Sequence, residues 1–554
     1  MKIELKAPGD RDFRTVTVRK GQTIESVYKS LEEKLPYAVL AAKKDNKVVP
    51  LTAKINAHCR IELLDGTTVI GNQTYQHGLT MMYLYSIEKV IGRVRVEIQN
   101  SLNKGIYTEI FTKEPVTAAQ IDEIEKAMKQ LAEDDVPFET AYLNRRETEE
   151  FLKDADLQEK LRLVESMPKR NRFKEYKLND FGNFFYDIMP PSTGYIKVFS
   201  LRKYKKGVLL RFPYMEDPGR LPKYVDRKYM YDAFEQAKEW QEILGIHYAI
   251  DLNDKNRDGE MARIMLLSEA LHQKRIVEIV KNIITQKKRI VLVAGPSSSG
   301  KTTFAKQLCI HLNVNGKKPL YLGTDDYFLN RVDTPLDENG EPNFEDLDAL
   351  DIELFENNMN ALLEGKEVDL PRYDFISGRK VYGERITTIT QDSPIVIEGI
   401  HALNGALTSH IADKWKYKIY ISPLTQLNID AHTRIPTTDM RMLRRIVRDY
   451  KYRGHSAKET IREWPKVRAG EEKNIFPFGA EADDFFNSIL IYEMGVLRKY
   501  AQPLLEQITP EDREYCDAKR LLRLLDFFDT IEDDEMIVNT SILREFIGGS
   551  VFVE

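Results

Sequence analysis

Residues 290–303 read Ile290-Val-Leu-Val-Ala294 followed by Gly295-Pro-Ser297-Ser298-Ser299-Gly300-Lys301-Thr302-Thr303. The first five are apolar and mostly β-branched, the composition of a buried strand. The rest is a phosphate-binding loop by its spacing. Gly295 and Gly300 permit the tight turns and close approach that let the N–H groups of Ser297, Ser298 and Ser299 point inward around phosphates. Lys301 supplies a point charge to the outer phosphates, and the Thr302 hydroxyl is a ligand for Mg²⁺. A helix over residues 302–312, with Thr303 in its first turn, adds the positive end of its dipole at the same place. A serine-rich surface turn is the plain alternative. The strand before the loop and the helix after it argue against that. The segment predicts binding of a nucleoside triphosphate with Mg²⁺.

Such a loop does not decide between hydrolysis, switching and phosphoryl transfer. Residues 318–324 read as a second buried strand that ends at Asp325-Asp326-Tyr327-Phe328. This puts a carboxylate at the carboxyl end of a strand, where open α/β sheets place their chemistry, and where a base for a substrate hydroxyl belongs. A third strand over residues 394–397 ends in Glu398, suited to holding Mg²⁺ directly or through water. GTP-binding switches need Asp-x-x-Gly here and Asn-Lys-x-Asp later, and neither is in place. From Thr438 to Arg453, Met440, Leu443, Val447 and Tyr450 recur at helical spacing, while Arg441, Arg445 and Arg448 fall on another face. A solvated basic face is one reading. A lid of guanidinium groups over a transferring phosphate is the other, because charge spreads over the phosphoryl oxygens in a loose transition state.

Several segments follow in order after the loop: Asp325-Asp326-Tyr327, residues 343–351 (Asn-Phe-Glu-Asp-Leu-Asp-Ala-Leu-Asp), Pro371-Arg372-Tyr373-Asp374-Phe375, Ile397-Glu398-Gly399 and residues 443–449 (Leu-Arg-Arg-Ile-Val-Arg-Asp). Taken together they resemble the uridine kinase and phosphoribulokinase group of P-loop kinases, over about residues 285–505. The resemblance implies an ATP- and Mg²⁺-dependent nucleoside kinase. It makes Asp325 the acid that takes the proton from the 5′-hydroxyl, with Asp326 adjacent and able to exchange roles, and Glu398 the metal-associated acid. Glu345 falls where the family contacts the ribose hydroxyls and Tyr373 where it contacts the base. Arg445, Arg448 and Arg453 fall where lid arginines meet substrate and phosphates. Two departures touch acceptor recognition: residues 376–379 lack the family's base-contacting His, and His455 stands where a second ribose-contacting Arg is usual. In-line transfer without a covalent intermediate is the implied mechanism.

The chain has 554 residues, 42% hydrophobic and 31% charged, enough for three or four soluble domains. A net charge of −5 argues against broad nucleic-acid affinity. Cys59, Cys309 and Cys516 are far apart, which points to reduced thiols and no zinc ribbon. The start lacks a signal peptide's apolar core, and no apolar run approaches the roughly 18 residues of a membrane span. A cytoplasmic location is therefore expected, with no membrane partner.

Residues 1–65 carry short strands at 16–18, 38–42 and 60–64 around a helical stretch near 24–35, and resemble the β-grasp TGS domain of threonyl-tRNA synthetases and certain GTPases. Residues 66–225 resemble the editing-type second domain of those synthetases. That family's His-x3-His zinc pair is reduced here to His77, with Met81 at the second position, and the late Ser192-Thr193-Gly194 frame lacks its Cys and His. The resemblance implies a fold kept and a metal site lost, with RNA or a regulatory nucleotide as a partner for these modules. Residues 226–284 read as a helical connector and 506–554 as an extension packing on the kinase.

The expected fold is therefore α/β, a P-loop kinase with a parallel sheet flanked by helices, preceded by a β-grasp domain and an α+β synthetase-like domain. The expected activity is transfer of the γ-phosphate of ATP to the 5′-hydroxyl of a nucleoside, uridine- or cytidine-like. A sugar phosphate or pantothenate-like acceptor and a regulatory ATP- or RNA-binding protein are the rivals. A homo-oligomer is left open.

Overall fold

The computed structural model describes residues 1–31, 35–167, 170–336, 340, 342–425 and 427–553. Its first module is a five-stranded mixed sheet in the order Arg14–Thr17, Lys2–Lys6, Arg60–Asp65, Val39–Lys44, Lys47–Val49. The opening strand was not anticipated, yet Ile3 and Leu5 alternate inward and are fully buried, the period of a half-buried strand. The helix at residue 24 is shorter than expected. It runs Ile24–Lys29, capped by the Thr23 hydroxyl, and part of the stretch up to Leu35 lies outside the described residues.

The second module is built on the helix Val69–Val90, which is buried along most of its length. A four-stranded antiparallel sheet (Ser200–Tyr204, Gly207–Arg211, Gly105–Phe111, Arg95–Leu102) and a three-stranded one (Phe181–Phe184, Arg172–Leu178, Glu139–Asn144) complete it with the helix Ala118–Asp134. The Ser-Thr-Gly frame closes the C-terminal end of that helix. Asp135, in the left-handed conformation, accepts from the Gly194 N–H at 3.1 Å, and the Thr193 hydroxyl accepts from the Val136 N–H at 2.8 Å. His77 contacts the Ile188 carbonyl at 3.3 Å through Nδ1, and Met81 is fully buried in the core. The frame's hydroxyl and the methionine thus do structural work where a metal site would need donors.

Helices Lys228–Leu244, Ala249–Arg257 and Met261–Thr285 lead to the third module, as the helical spacing of Ile264, Ile276, Ile279 and Ile283 foretells. There a five-stranded, all-parallel sheet has the order Leu320–Gly323, Ile395–Glu398, Ile290–Ala294, Lys416–Ser422, Asp484–Asn487. The strand that feeds the loop is central and buried at every residue, as a strand covered on both faces must be.

The modules are joined by hydrogen bonds and shared core. The Ile98 N–H donates to the Ala431 carbonyl at 2.8 Å, and Asn428 returns a side-chain bond to the Ile98 carbonyl at 2.9 Å. Leu163 of the second module belongs to the same apolar cluster as Phe304 of the loop's helix. Among the described residues no helix is long and apolar enough to cross a membrane.

Candidate active site

The loop that follows Ala294 is shaped by two glycines. A Cβ on Gly295 would lie 2.0 Å from the Ile421 carbonyl oxygen of the neighbouring strand, and Gly300, at φ +83°, turns the chain into the helix Lys301–Val314. Ser298 also adopts positive φ, 60°, and the hydroxyls of Ser298 and Ser299 are buried without partners. Strain and orphaned polar atoms in one loop fit a cradle that awaits phosphate oxygens. Lys301 turns back to the Pro296 carbonyl at 3.4 Å.

The two flanking strands deliver the acids. Gly323 and Glu398 are register partners on adjacent parallel strands, so the turn Thr324–Tyr327 and Glu398 emerge side by side. Glu398 accepts from the Thr302 hydroxyl at 3.3 Å and the Tyr321 hydroxyl at 3.2 Å. Burial pushes its carboxyl up to about 7, against the pull of Lys301. Thr302 and Glu398 together present the hard oxygen donors that Mg²⁺ takes.

The neighbouring aspartates part company here. Asp326 is committed to Arg385 at 2.6 Å and to the Tyr373 N–H at 3.4 Å. Asp325, which stays open to solvent, has no such ion pair among the described residues; desolvation by its neighbours raises its pKa while the charges of Lys301 and Arg453 pull it down.

The helix Thr437–Arg453 lies over the loop. Arg445 donates to the Ser297 hydroxyl at 2.8 Å. Arg445, Arg448 and Arg453 converge on the single carboxylate of Asp449, at 3.1, 2.8 and 3.6 Å. Three guanidinium groups around one carboxylate leave net positive charge, and chiefly the repulsion of Arg448 brings Arg453 down to about 10.

Arg441 fits neither the solvated face nor the lid. It is fully buried, paired with Glu471, stacked on Trp464 and donating to the Ser297 carbonyl at 3.0 Å. Arg444, which sequence reasoning passed over, is buried with Glu493 and donates to the Ser298 carbonyl at 3.3 Å. Tyr450, expected inward, is 55% exposed. The helix is wedged between the loop and the helix Ala457–Asn474, so its buried surface is wider than an apolar stripe and includes charge.

Glu345 packs against Gly470, where a Cβ would meet its own at 2.9 Å, and burial raises its pKa while Arg445 opposes. The Tyr373 ring is buried edge-on to Phe328 and Phe375, and its hydroxyl has no partner. His401, three residues after Glu398, is fully buried with neither ring nitrogen bonded, and burial brings it down to about 4. Residue 376, in the segment lacking the family's His, is 92% exposed.

Two further carboxylates sit on the loop, and nothing in the sequence pointed to them. The Ser297 N–H donates to Glu471 at 3.0 Å. Thr303 donates to Glu545, from its N–H at 3.3 Å and its hydroxyl at 2.7 Å. Glu545 comes from the C-terminal segment, which also lays Ile542 against Gly300 and brings the Phe546 ring 4.8 Å from Arg444. Neither acid lies in a motif. Glu545 is 242 residues from its partner, so no local spacing could reveal it.

A parallel sheet, a glycine-bounded loop opening a helix and two acids at neighbouring strand ends define a P-loop kinase module. Residues 290–491 match the model of the Phosphoribulokinase / Uridine kinase family. The N-terminal region matches threonine–tRNA ligases. The match to that of Caldanaerobacter subterraneus subsp. tengcongensis is 26% identical over 201 residues, 36% of this chain and 30% of that protein. The match to that of Desulforamulus reducens is 27% identical over 201 residues, 36% of this chain and 31% of that protein. The chain thus spans under a third of the length of these relatives. Among solved structures, a possible uridine kinase from Bacillus stearothermophilus is 21% identical, covering 38% of this chain and 97% of its own, with a TM-score of 0.25. The D-glycerate 3-kinase of Cryptococcus neoformans is 13% identical, covering 47% and 90%, with a TM-score of 0.20.

Proposed function

We propose that the protein transfers the γ-phosphate of ATP to a hydroxyl of a small acceptor, a nucleoside at its 5′-hydroxyl. The observation that carries this reading is the division of labour between the adjacent aspartates: Asp326 is locked to Arg385, while Asp325 is left near the charge of Lys301 with no ion-pair partner among the described residues. A nucleotide sensor has no use for a free acid there; a kinase needs one to orient and deprotonate its acceptor.

In this mechanism the loop amides and Lys301 hold the phosphates and neutralise charge. Asp325 takes the proton from the acceptor hydroxyl. Arg445, Arg448 and Arg453 close their surplus charge over the transferring phosphoryl group and exclude water. Thr302 and Glu398 would hold Mg²⁺, which when bound screens the phosphate charge and orients the outer phosphates. Glu345 and Tyr373 fit the acceptor's hydroxyls and ring.

The test is ADP release with Mg-ATP across nucleosides, pantothenate and sugar phosphates, with product mass checked. Turnover on a nucleoside is expected. Asp325→Asn lowers it about a hundredfold or more, the scale of losing a positioned base, with ATP affinity nearly unchanged. Unchanged turnover would remove Asp325 from the mechanism, and silence across the panel with ATP still bound would overturn the kinase reading.

The likeness of the N-terminal region to threonine–tRNA ligases supports a second reading, in which those modules bind RNA. Full-length protein should then shift a tRNA in a salt-sensitive manner; no shift at low salt sinks it.

A further inference from the structure

A cavity of about 730 Å³ lies where the modules meet, with neither Asp325 nor Glu398 in its lining. Its walls come from the end of the first module, the helix Val69–Val90, the hairpin around Thr433 and Arg434, the helix Ala457–Asn474 and the helix Tyr515–Leu525.

Most charges that line it are matched. Arg520 pairs with Asp439 and Asp517, Arg523 with Asp187 at 2.8 Å, and Lys43 with Glu62 at 3.5 Å. Among the cations Arg434 is the exception, and of the acids Glu216, exposed at the rim, has no ion pair among the described residues. Among the described residues the Arg434 side chain makes one hydrogen bond, from Nη2 to the Gln76 side-chain oxygen at 3.3 Å, and Asp439 attracts it without forming an ion pair. Next to it the Thr433 hydroxyl is buried with no partner. A guanidinium keeps its charge in proteins and is costly to enclose without an anion. Burial lowers the Arg434 pKa, as that cost requires. Phe185, Trp464 and Phe527 contribute apolar wall.

We propose that this cavity is a binding site for a small organic oxyanion with a flat apolar body, its carboxylate or phosphate held by Arg434 and Thr433. The site is wired to the P-loop. Arg468 lines the cavity and pairs with Glu471 at 3.0 Å, and Glu471 accepts from the Ser297 N–H at 3.0 Å. An anion in the cavity competes for Arg468 and alters the hold of Glu471 on the loop, so occupancy of the cavity changes nucleotide affinity. The binding claim stands apart from the kinase reading; the coupling rests on the P-loop alone.

Trp464 in the wall provides the readout. In full-length protein carrying Trp240→Phe, Trp415→Phe and Lys301→Ala, which takes the P-loop out of the measurement, phenyl phosphate and benzoate are titrated against Trp464 emission. At least one is expected to give a saturable change, about tenfold or more tighter than inorganic phosphate, because the apolar body adds burial. The tighter of the two identifies phosphate or carboxylate as the anion. Arg434→Gln should weaken binding about tenfold or more, the scale of one charged hydrogen bond. Should that variant fail to fold, Thr433→Val serves in its place and also weakens binding. No saturable change with either probe, or undiminished binding by the folded variant, overturns the site. With Lys301 restored, the bound probe should shift the affinity for a fluorescent ATP analogue, and Arg468→Gln should abolish that shift while the probe still binds saturably. A shift that survives Arg468→Gln refutes the relay.

Discussion

Asp325 and Asp326 carry the same side chain and end in different surroundings on one tight turn at a strand end. One meets Arg385 and the other Lys301. The sequence could name the pair and not the partner, since Arg385 is 59 residues away. The same limit applies to histidine. His272 is buried on the helix Met261–Thr285, with Nε2 donating to the Ile489 carbonyl at 3.0 Å, and burial brings it down to about 4. Its folded pKa is lower than the roughly 6.5 of an unfolded chain, so the native state binds fewer protons in between. Stability from this residue is present above about pH 6.5 and lost as pH falls toward 4, on the order of 3 kcal/mol at 1.36 kcal/mol per unit. His272→Gln keeps an N–H for Ile489 and should flatten the dependence of urea midpoints on pH in that window; an unchanged slope would contradict the assignment.

At the scale of elements, the helix Thr437–Arg453 shows what periodicity reads and what it misses. Its existence and the inward Met440, Leu443 and Val447 follow from spacing. The burial of Arg441 and Arg444 does not, because their acids, Glu471 and Glu493, lie on later helices. Arg441→Ala leaves the buried Glu471 with Arg468 as its remaining ion-pair partner among the described residues and should cost about 3 kcal/mol, the low end for broken buried pairs, measured by urea unfolding. The C-terminal segment calls for a different measurement. Glu545 is 8% exposed and sits on the first-turn amide of the loop's helix, where anions are favoured. A carboxylate and a nucleotide phosphate compete for that amide. Glu545→Gln removes the charge and should tighten ATP binding several-fold in equilibrium titration; weaker binding would show that the acid supports the nucleotide site.

For the whole molecule, the module order was legible because each module carries its own signature: a glycine loop, an alternating β pattern, a helical connector. Their fusion was not, since the joining contacts are single residues such as Ile98, Leu163 and Asn253 with no pattern of their own. Asn253 donates to the Phe527 carbonyl at 2.9 Å and accepts from the Asp529 N–H at 2.8 Å, tying the connector to the C-terminal extension. Residues 285–505 expressed alone lack the cover of Ile542 over Gly300 and the helix Met261–Thr285 against the loop's helix. That fragment should show no cooperative melting transition in calorimetry, while the full chain does; a sharp transition for the fragment would show an autonomous kinase core.

The extension also reaches the opposite end of the chain. Asn46 donates to the Pro510 carbonyl at 3.1 Å and accepts from Cys516 Sγ at 2.9 Å, while Glu545 holds Thr303. Its sequence therefore answers to two masters in inheritance: a recombination that exchanged the β-grasp module or the kinase for a relative's would mismatch the extension at one end or the other, and the three must drift together.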